Sequence, residues 1–410
     1  MGRASLLLVT GMIIIFGMVQ IGINGKISMA KERSSDYFEQ VQAKNIANSL
    51  VERAIRKIKD NLAWRAGIQE DAYLSGSGDL QIFDASTDSS LGPNELLIAS
   101  TGAVGNIAMD VEVRLRRTSF SKYSYFTDRE PGIYFITGDT VKGPLHTNGT
   151  MHISGRPVFT GRVTSPNMWQ GSGDPEFLGG SSFGSQEVNL PTNLDNLKNA
   201  VSSGGLQLDR TSRVEFQPDS TIDVYEWSGG WGWWGGSWSG PTTYNQADIG
   251  SVISSTEDVY VKGVVNGPVT LHSEDDIIID GDITYQDDPR DNPDSDDMLG
   301  LISERKIIVD RDAHLDHGTQ DLTIHASLMA LGNTFTVENY GSGHPRGSLN
   351  ILGGVIQEVR GAVGTFISGG SNPVLRSGYM KVYEYDQRFL NRWPPHFPVS
   401  DTYSILAWRE

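Results

Sequence analysis

The 410-residue sequence contains no cysteine, which excludes disulfide bonds and thiolate metal sites. Basic residues are also in deficit, because 33 lysines and arginines stand against 50 aspartates and glutamates, for a net charge of −17. Binding to nucleic acid requires an excess of Lys and Arg to neutralise phosphates, so we predict no nucleic-acid partner. A P-loop, a Rossmann glycine pattern and a nucleophile elbow are absent as well. We therefore predict no catalytic residue and no enzymatic activity.

Charged residues are also absent between Arg3 and Lys26. The strongly apolar part, from Ser5 to Ile23, has roughly 19 residues and would span about 28 Å as a helix, enough to cross a bilayer. We predict a transmembrane or leader segment at residues 1–29. Two alternatives remain open at this point. One is a secretory signal removed after Ala30, since Ser28-Met29-Ala30 has the small-x-small pattern of a cleavage site, and the other is a plain single-span anchor.

An amphipathic helix is predicted to follow at residues 30–65. Its apolar residues recur three or four positions apart, which places them on one face, and many of them are small. Such a stripe is suited to close packing against other helices. The residues predicted to make this packing are Ala43, Ala47, Leu50, Val51, Ala54 and Ile58.

Two segments of this N-terminal region resemble type IV pilin-like proteins, and most nearly the PilX-type minor pilins. They are Gly2-Arg3-Ala4-Ser5-Leu6-Leu7-Leu8 and Gln42–Glu52. The resemblance implies cleavage between Gly2 and Arg3 and packing of the helix among other pilin-like subunits. The sequence departs from the major pilins at Leu7, which occupies the fifth position after that cleavage, where those proteins have glutamate.

The rest of the chain has the pattern of short strands. We predict a linker with a few strands at residues 66–125 and an irregular β-solenoid body at 126–410. Apolar runs of three to five residues, many closed by glycine or asparagine, are typical of a solenoid or a β-sandwich, and short turns between consecutive apolar positions favour the solenoid. The examples used below are Val259–Val261, Ile277–Ile279 and Ile307–Val309. The predicted class is therefore mainly β, with one long N-terminal helix.

Two segments of this body, Gly143–Gly149 and Ser154–Phe159, resemble an uncharacterised bacterial family of pilin-like envelope proteins with β-solenoid bodies. The likeness spans about residues 125–410 and implies no reaction. It supports an extracytoplasmic location for the body.

Metal binding is left open by the sequence, and no cofactor is predicted. An acidic stretch offers oxygen ligands suited to Ca²⁺, although its prolines and like charges are typical of an exposed loop. Its candidate ligands are Asp287, Asp288, Asp291, Asp294 and Asp296. A second candidate combines His314 and His317 with Asp310, Asp312 and Asp316, where solvated turn residues are the alternative.

A segment rich in glycine and tryptophan is predicted to form a contact surface for a carbohydrate or another cell-surface ligand. Its glycines make it a poor core element, although an insertion that folds back on the solenoid flank is an equal alternative. The tryptophans are Trp227, Trp231, Trp233, Trp234 and Trp238.

These features predict a structural protein: a minor subunit or tip protein of a type IV pilus-like or type II secretion-like filament, with an adhesive role. It would be anchored in the inner membrane, and it would be exposed at the cell surface or in the filament after assembly. The rival hypothesis is an envelope-anchored β-helix enzyme acting on polysaccharide. Its acid/base pair would come from Asp275, Asp276, Asp280 and Asp282.

Overall fold

The computed structural model describes residues 2–92, 94–229, 236–315, 318–367 and 374–410, with side chains from residue 6 onward. The chain divides into two compact units. The first contains the residues up to Thr118 together with Asp401–Glu410, and the second is Ser119–Ser400. The predicted body of residues 126–410 differs from the second unit at both ends, because a strand that begins near Val399 returns the chain to the first unit.

The first unit combines one helix with an antiparallel sheet. Strands β1 to β4 form a meander in which each strand pairs with the next, and the strand Val399–Arg409 joins the sheet beside β4. Residues 66–125, predicted as a linker with a few strands, therefore belong mostly to an ordered sheet. The elements are α1 Gly2–Asp60, β1 Ile68–Tyr73, β2 Gly76–Asp84, β3 Glu95–Val104 and β4 Ile107–Ser119.

The C-terminal half of α1 packs on this sheet. The inward side chains of β2, β3 and β4 alternate with outward ones, as a half-buried strand requires, and they cover the apolar face of the helix. The approach is close: a Cβ at Gly102 would collide with the carbonyl oxygen of Ala43, and Ser100 Oγ donates to the carbonyl of Ala47 at 3.0 Å.

The second unit begins with three rows of short parallel strands. In the middle of one row, Phe159 lies opposite both Val141 and Phe177, each 18 residues away, so one coil takes 18 residues here. The strands are β5 Tyr125–Arg129, β6 Tyr134–Ile136, β7 Thr140–Val141, β8 Leu145–Thr147, β9 His152–Ser154, β10 Val158–Phe159, β11 Val163–Ser165, β12 Gln170–Gly171, β13 Glu176–Phe177 and β14 Ser181–Phe183.

A short helix, α2 (Asp195–Ser202), precedes a second block of strands. Most strands of this block pair in parallel with a strand of the next coil; the exceptions are the antiparallel pairs β16–β17, β17–β18 and β28–β29. The strands are β15 Leu206–Leu208, β16 Ser212–Phe216, β17 Thr221–Ser228, β18 Ser237–Asn245, β19 Val252–Ser255, β20 Val259–Val265, β21 Pro268–Ser273, β22 Ile277–Tyr285, β23 Met298–Ser303, β24 Ile307–Val309, β25 Leu322–Ala330, β26 Phe335–Val337, β27 Pro345–Val359, β28 Gly364–Ile367, β29 Val374–Glu384 and, in the first unit, β30 Val399–Arg409.

The two blocks join in an order that does not follow the chain. β27 pairs in parallel with β5, so the last coils of the second block lie against the first strand of the first block. The chain therefore enters the stack in its middle, builds outward to β14, crosses to the far end at β15 and builds back. Entry and exit lie together, because Phe120 N and Ser119 Oγ both donate to the carbonyl of Pro398, at 3.1 and 3.3 Å.

Stacking in register explains the short apolar runs. Val259, Ile277, Ile307 and Phe335 lie opposite one another on successive strands and point into the core, while the residue that follows each of them is less buried. The mainly β class and the single long apolar N-terminal helix are confirmed. The parallel pairing between coils is the pairing that a solenoid requires, and we call this part the parallel stack.

Buried serines close the corners between strands. Ser255, Ser273 and Ser303 occupy equivalent positions, and each hydroxyl accepts the backbone N–H two residues later, at 3.1, 3.0 and 2.9 Å. Ser273 and Ser303 also donate to a carbonyl of the preceding coil. Each hydroxyl thus satisfies a turn and ties two coils together, which supplies the hydrogen bonds that a buried corner needs.

Candidate functional site

The N-terminal half of α1 is the first candidate. Its apolar side chains are exposed around the whole helix, with Leu6, Ile13 and Phe16 at 69%, 64% and 70% exposure. Among the described residues, α1 is the helix that is long and apolar enough to cross a membrane by length and composition. The helix continues through Gly25 without interruption, so the predicted membrane segment and the amphipathic segment are parts of one element.

The predicted packing stripe is buried, but its partner differs from the prediction. Ala43, Ala47, Leu50, Val51, Ala54 and Ile58 are at most 1% exposed. Those from Ala47 onward pack against apolar side chains of β2, β3 and β4 in the same chain, and the carbonyl of Ala43 meets Gly102 of β3. The assignment of this stripe to contacts with other subunits is corrected here: an apolar period shows that a face is buried, not what buries it.

The predicted processing residues lie at the start of the helix. Gly2 is its first residue, and the side chain of Arg3 lies outside the described part of the structure. Cleavage between them stays a prediction.

The tryptophan segment forms the tip of the β17–β18 hairpin. Trp231, Trp233 and Trp234 lie outside the described residues. Trp227 and Trp238 lie opposite each other on the two strands, with ring centroids 5.1 Å apart in an edge-to-face arrangement. The Trp238 ring also contacts the ring of Tyr260 on β20, at 5.4 Å.

The acidic loop predicted as a calcium site is ordered by its own side chains. Arg290 hydrogen-bonds to Asp288 and lowers the pKa of that carboxyl to about 2, and Asn292 donates to Asp287. Asp297, which is buried, accepts the backbone N–H groups of Gly267 and Asp287 at 2.6 and 2.7 Å. Asp291, Asp294 and Asp296 are exposed, and calcium binding here stays a prediction.

The histidine candidate is only partly described, because Asp316 and His317 lie outside the described residues. Asp312 is paired with Arg311 at 3.0 Å, and Asp310 accepts the N–H of Asp312. The His314 ring lies edge-on to Tyr379, 6.1 Å away between centroids. The described partners therefore supply turn contacts rather than a convergent set of ligands.

One acidic group was missed by the sequence analysis. Carboxylate oxygens of Asp258, Asp275 and Asp276 lie within 4.8 Å of one another, and burial together with the other two carboxylates raises the pKa of Asp258. Arg305 forms an ion pair with Asp275 and lies 3.9 Å from Asp276. The repeated spacing of a serine three residues before an aspartate, at Ser255 and Ser273, could have revealed this corner.

The four aspartates of the enzyme hypothesis occupy two separate places. Asp275 and Asp276 lie at the corner before β22, whereas Asp280 and Asp282 lie within that strand, about 13 Å further along at 3.3 Å per residue. Asp280 forms an ion pair with Arg213 at 2.9 Å, and burial raises its pKa to about 6. Asp282 accepts the N–H of Thr323 at 2.8 Å.

A cavity of about 480 Å³ opens beside Asp282 on the outer face of the parallel stack. Polar side chains converge on it from three neighbouring strands and a turn. Its lining residues are Glu215, Phe216, Gln217, Pro218, Lys262, Gly263, Val264, Asp282 and Thr284.

The segment Gly143–Gly149 forms a buried polar network. His146 is hydrogen-bonded to Thr164 at 2.7 Å and to Asn148 at 2.8 Å, and its ring stacks on Phe126. Burial lowers the pKa of His146. Asn148 also binds both backbone groups of Val188, so this segment fixes one coil and a loop to each other.

His325 is another buried histidine and gives a prediction about pH. Its Nδ1 accepts the N–H of Tyr285 at 3.1 Å, which requires that nitrogen to be unprotonated, and the Arg290 guanidinium lies 3.4 Å from Nε2. Burial is the main cause that lowers the pKa of His325 to about 4. The unfolded chain binds this proton near pH 6.5 and the folded chain does not. Stability should therefore fall as the pH falls from about 6.5 to about 4, by on the order of 3 kcal/mol.

The measurement is chemical unfolding of the full chain at several pH values. His325→Asn retains an acceptor for Tyr285 and should flatten the dependence in this window, while His344→Asn, at an exposed position, should leave it unchanged. An equal slope in the His325 variant would contradict the assignment.

Comparisons with known proteins assign no activity. A family model described as a domain of unknown function, DUF4900, matches residues 86–167, a range that includes Gly143–Gly149. No curated protein matches the sequence. Among solved structures, the competence-associated pilin ComZ from Thermus thermophilus is 11% identical with a TM-score of 0.34, over 90% of this chain and 97% of that chain. At this TM-score the likeness carries no argument.

Proposed function

We propose that this protein is a structural subunit of a type IV pilus-like or type II secretion-like filament. The observation that carries the proposal is the division of α1 into an apolar half exposed on all sides and a half fixed to a sheet. A helix that is apolar all round needs lipid or other apolar helices around it. A rigid connection to a folded unit lets the same helix anchor the protein and then hold it in a filament.

The exposed half of α1 takes over the contact role that the sequence analysis gave to the stripe. Its residues between Leu6 and Ile27 would lie in the inner membrane before assembly and pack among other pilin-like subunits afterwards. The body would then be extracytoplasmic, at the cell surface or along the filament. A large, acidic body on one such helix is suited to a minor subunit or a tip protein with an adhesive role.

The test is mass spectrometry of the mature N-terminus of the protein from the membrane fraction. We expect a chain that begins at Arg3, because Gly2 directly precedes the apolar helix, as the resemblance to pilin-like proteins requires. A chain that begins at Lys31 would establish a secretory signal and overturn the proposal. A chain that retains Gly2 would support the plain anchor instead.

A further inference from the structure

A groove follows the outer face of three neighbouring strands, β16, β20 and β22. Alternate residues of these strands point outward, and Arg213 lies opposite Tyr260, as Glu215 lies opposite Lys262. From Tyr260 to Val264 the face extends about 13 Å at 3.3 Å per residue. The outward residues are Arg213, Glu215, Tyr260, Lys262, Val264, Asp280, Asp282 and Thr284.

One end of this groove is aromatic. Trp238 contacts Tyr260 and Trp227 edge-to-face, and the Arg213 guanidinium lies 4.6 Å from the centre of the Trp238 ring. Because Arg213 also pairs with Asp280, the ring is held in place by a group that is itself fixed. Trp227 remains 38% exposed, so an apolar ring surface faces solvent here.

The other end is the cavity of about 480 Å³, a volume within the range of small-molecule sites. The pairing of β20 with β22 is irregular between Val261 and Gly263, where Gly263 has a φ of +113°. A Cβ at this glycine would collide with the carbonyl oxygen of Phe216, so β16 and β20 can approach only with glycine there. The bulge thus shapes the cavity, as bulges at binding sites do.

The chemistry of the two ends selects a class of ligand. Aromatic faces pack on the C–H faces of sugar rings, while carboxylate, amide and ammonium groups exchange hydrogen bonds with hydroxyls. Carboxylates outnumber cations in the cavity, with Glu215 and Asp282 against Lys262. An anionic ligand would be repelled by this charge.

We propose that this groove binds a neutral oligosaccharide, with one sugar stacked at Trp238 and Tyr260 and the next sugars hydrogen-bonded along Glu215, Lys262 and Asp282. The proposal goes beyond filament assembly and gives the adhesive role a site and a class of ligand. The two proposals fail separately, because a mature chain that begins at Arg3 leaves glycan binding undecided, and loss of glycan binding leaves the N-terminus unchanged.

The experiment uses the full chain in a detergent without a sugar headgroup, on an array of neutral, amino-sugar and acidic glycans, followed by titration with the neutral glycan bound best. We expect binding to neutral glycans, at least tenfold weaker binding for Trp238→Ala and Tyr260→Ala, and nearly unchanged binding for Tyr260→Phe, which keeps the ring. Asp282→Asn keeps an acceptor for Thr323 and should weaken binding through the lost charge alone.

Matched controls are Tyr134→Ala, an exposed aromatic on β6, and Asp174→Asn, a carboxylate on a different coil; both should bind as the unchanged protein does. Absence of binding to every neutral glycan would overturn the proposal. So would a preference for acidic glycans, or equal binding by the Trp238 and Tyr260 alanine variants when their unfolding midpoints match the unchanged protein.

Discussion

Replacing Ala47 with aspartate should unfold the first unit. Ala47 is 0% exposed, and its carbonyl accepts a hydrogen bond from Ser100 on the adjoining strand. An aspartate there would place an unpaired carboxylate between helix and sheet, which costs several kcal/mol. Trypsin should then cleave β4 at Arg114 and Arg116 in the full chain, sites that pairing of β4 with β3 protects in the folded unit.

The matched control introduces the same residue two positions away. Asn45 points away from the sheet and is exposed, so Asn45→Asp should leave the digestion pattern unchanged. If the Ala47 variant resisted trypsin as well as the unchanged protein, the stripe would not be a core element. Its assignment to contacts with other subunits would then return.

A buried ion pair in the parallel stack gives the second large effect. The side chains of Arg360 and Glu130 are completely buried, 3.3 Å apart, and the guanidinium lies 3.7 Å from the centre of the Phe135 ring. It also donates to the carbonyls of Ile133 and Tyr134. Glu130→Ala or Arg360→Met alone leaves one buried charge without its partner, and each should cost about 3–5 kcal/mol.

The double variant should be less destabilised than the sum of the two single variants, because no unpaired charge remains. Denaturant unfolding of the full chain measures all three variants. The exposed pair Arg129–Glu358 supplies the control, since Glu358→Ala should change stability by less than about 1 kcal/mol. Simple additivity of the two single changes at the buried pair would contradict a coupled interaction.

Local pattern predicted much of this fold. The long helix follows from an apolar run and a continuing helical period, and the runs at Val259, Ile277 and Ile307 do stack in register. In each run the first and third residues enter the core, a property that three consecutive residues already contain. The site on the outer face was predicted only in part: Asp280, Asp282, Trp227 and Trp238 were named, but Arg213, Lys262 and Tyr260 were not.

Non-local pairing explains what could not be predicted. Nothing in the period of Ala47 and Leu50 distinguishes burial by other helices from burial by β3. Val399–Arg409 pairs with a strand almost 300 residues earlier, and its own pattern is exposed at Ile405 and Leu406. The groove residues come from three strands whose register depends on a bulge at Gly263.

The position at which the chain enters the parallel stack has a consequence for synthesis and export. As the chain emerges, β5 to β14 can form while one edge of β5 still has no neighbour, because Tyr125 pairs with Val355. That edge stays open until some 230 more residues have been made, and open edges are templates for pairing with other chains. Closure over so long a separation is slow. Conditions that slow elongation before Val355 should therefore increase aggregation more than a delay of equal length after it.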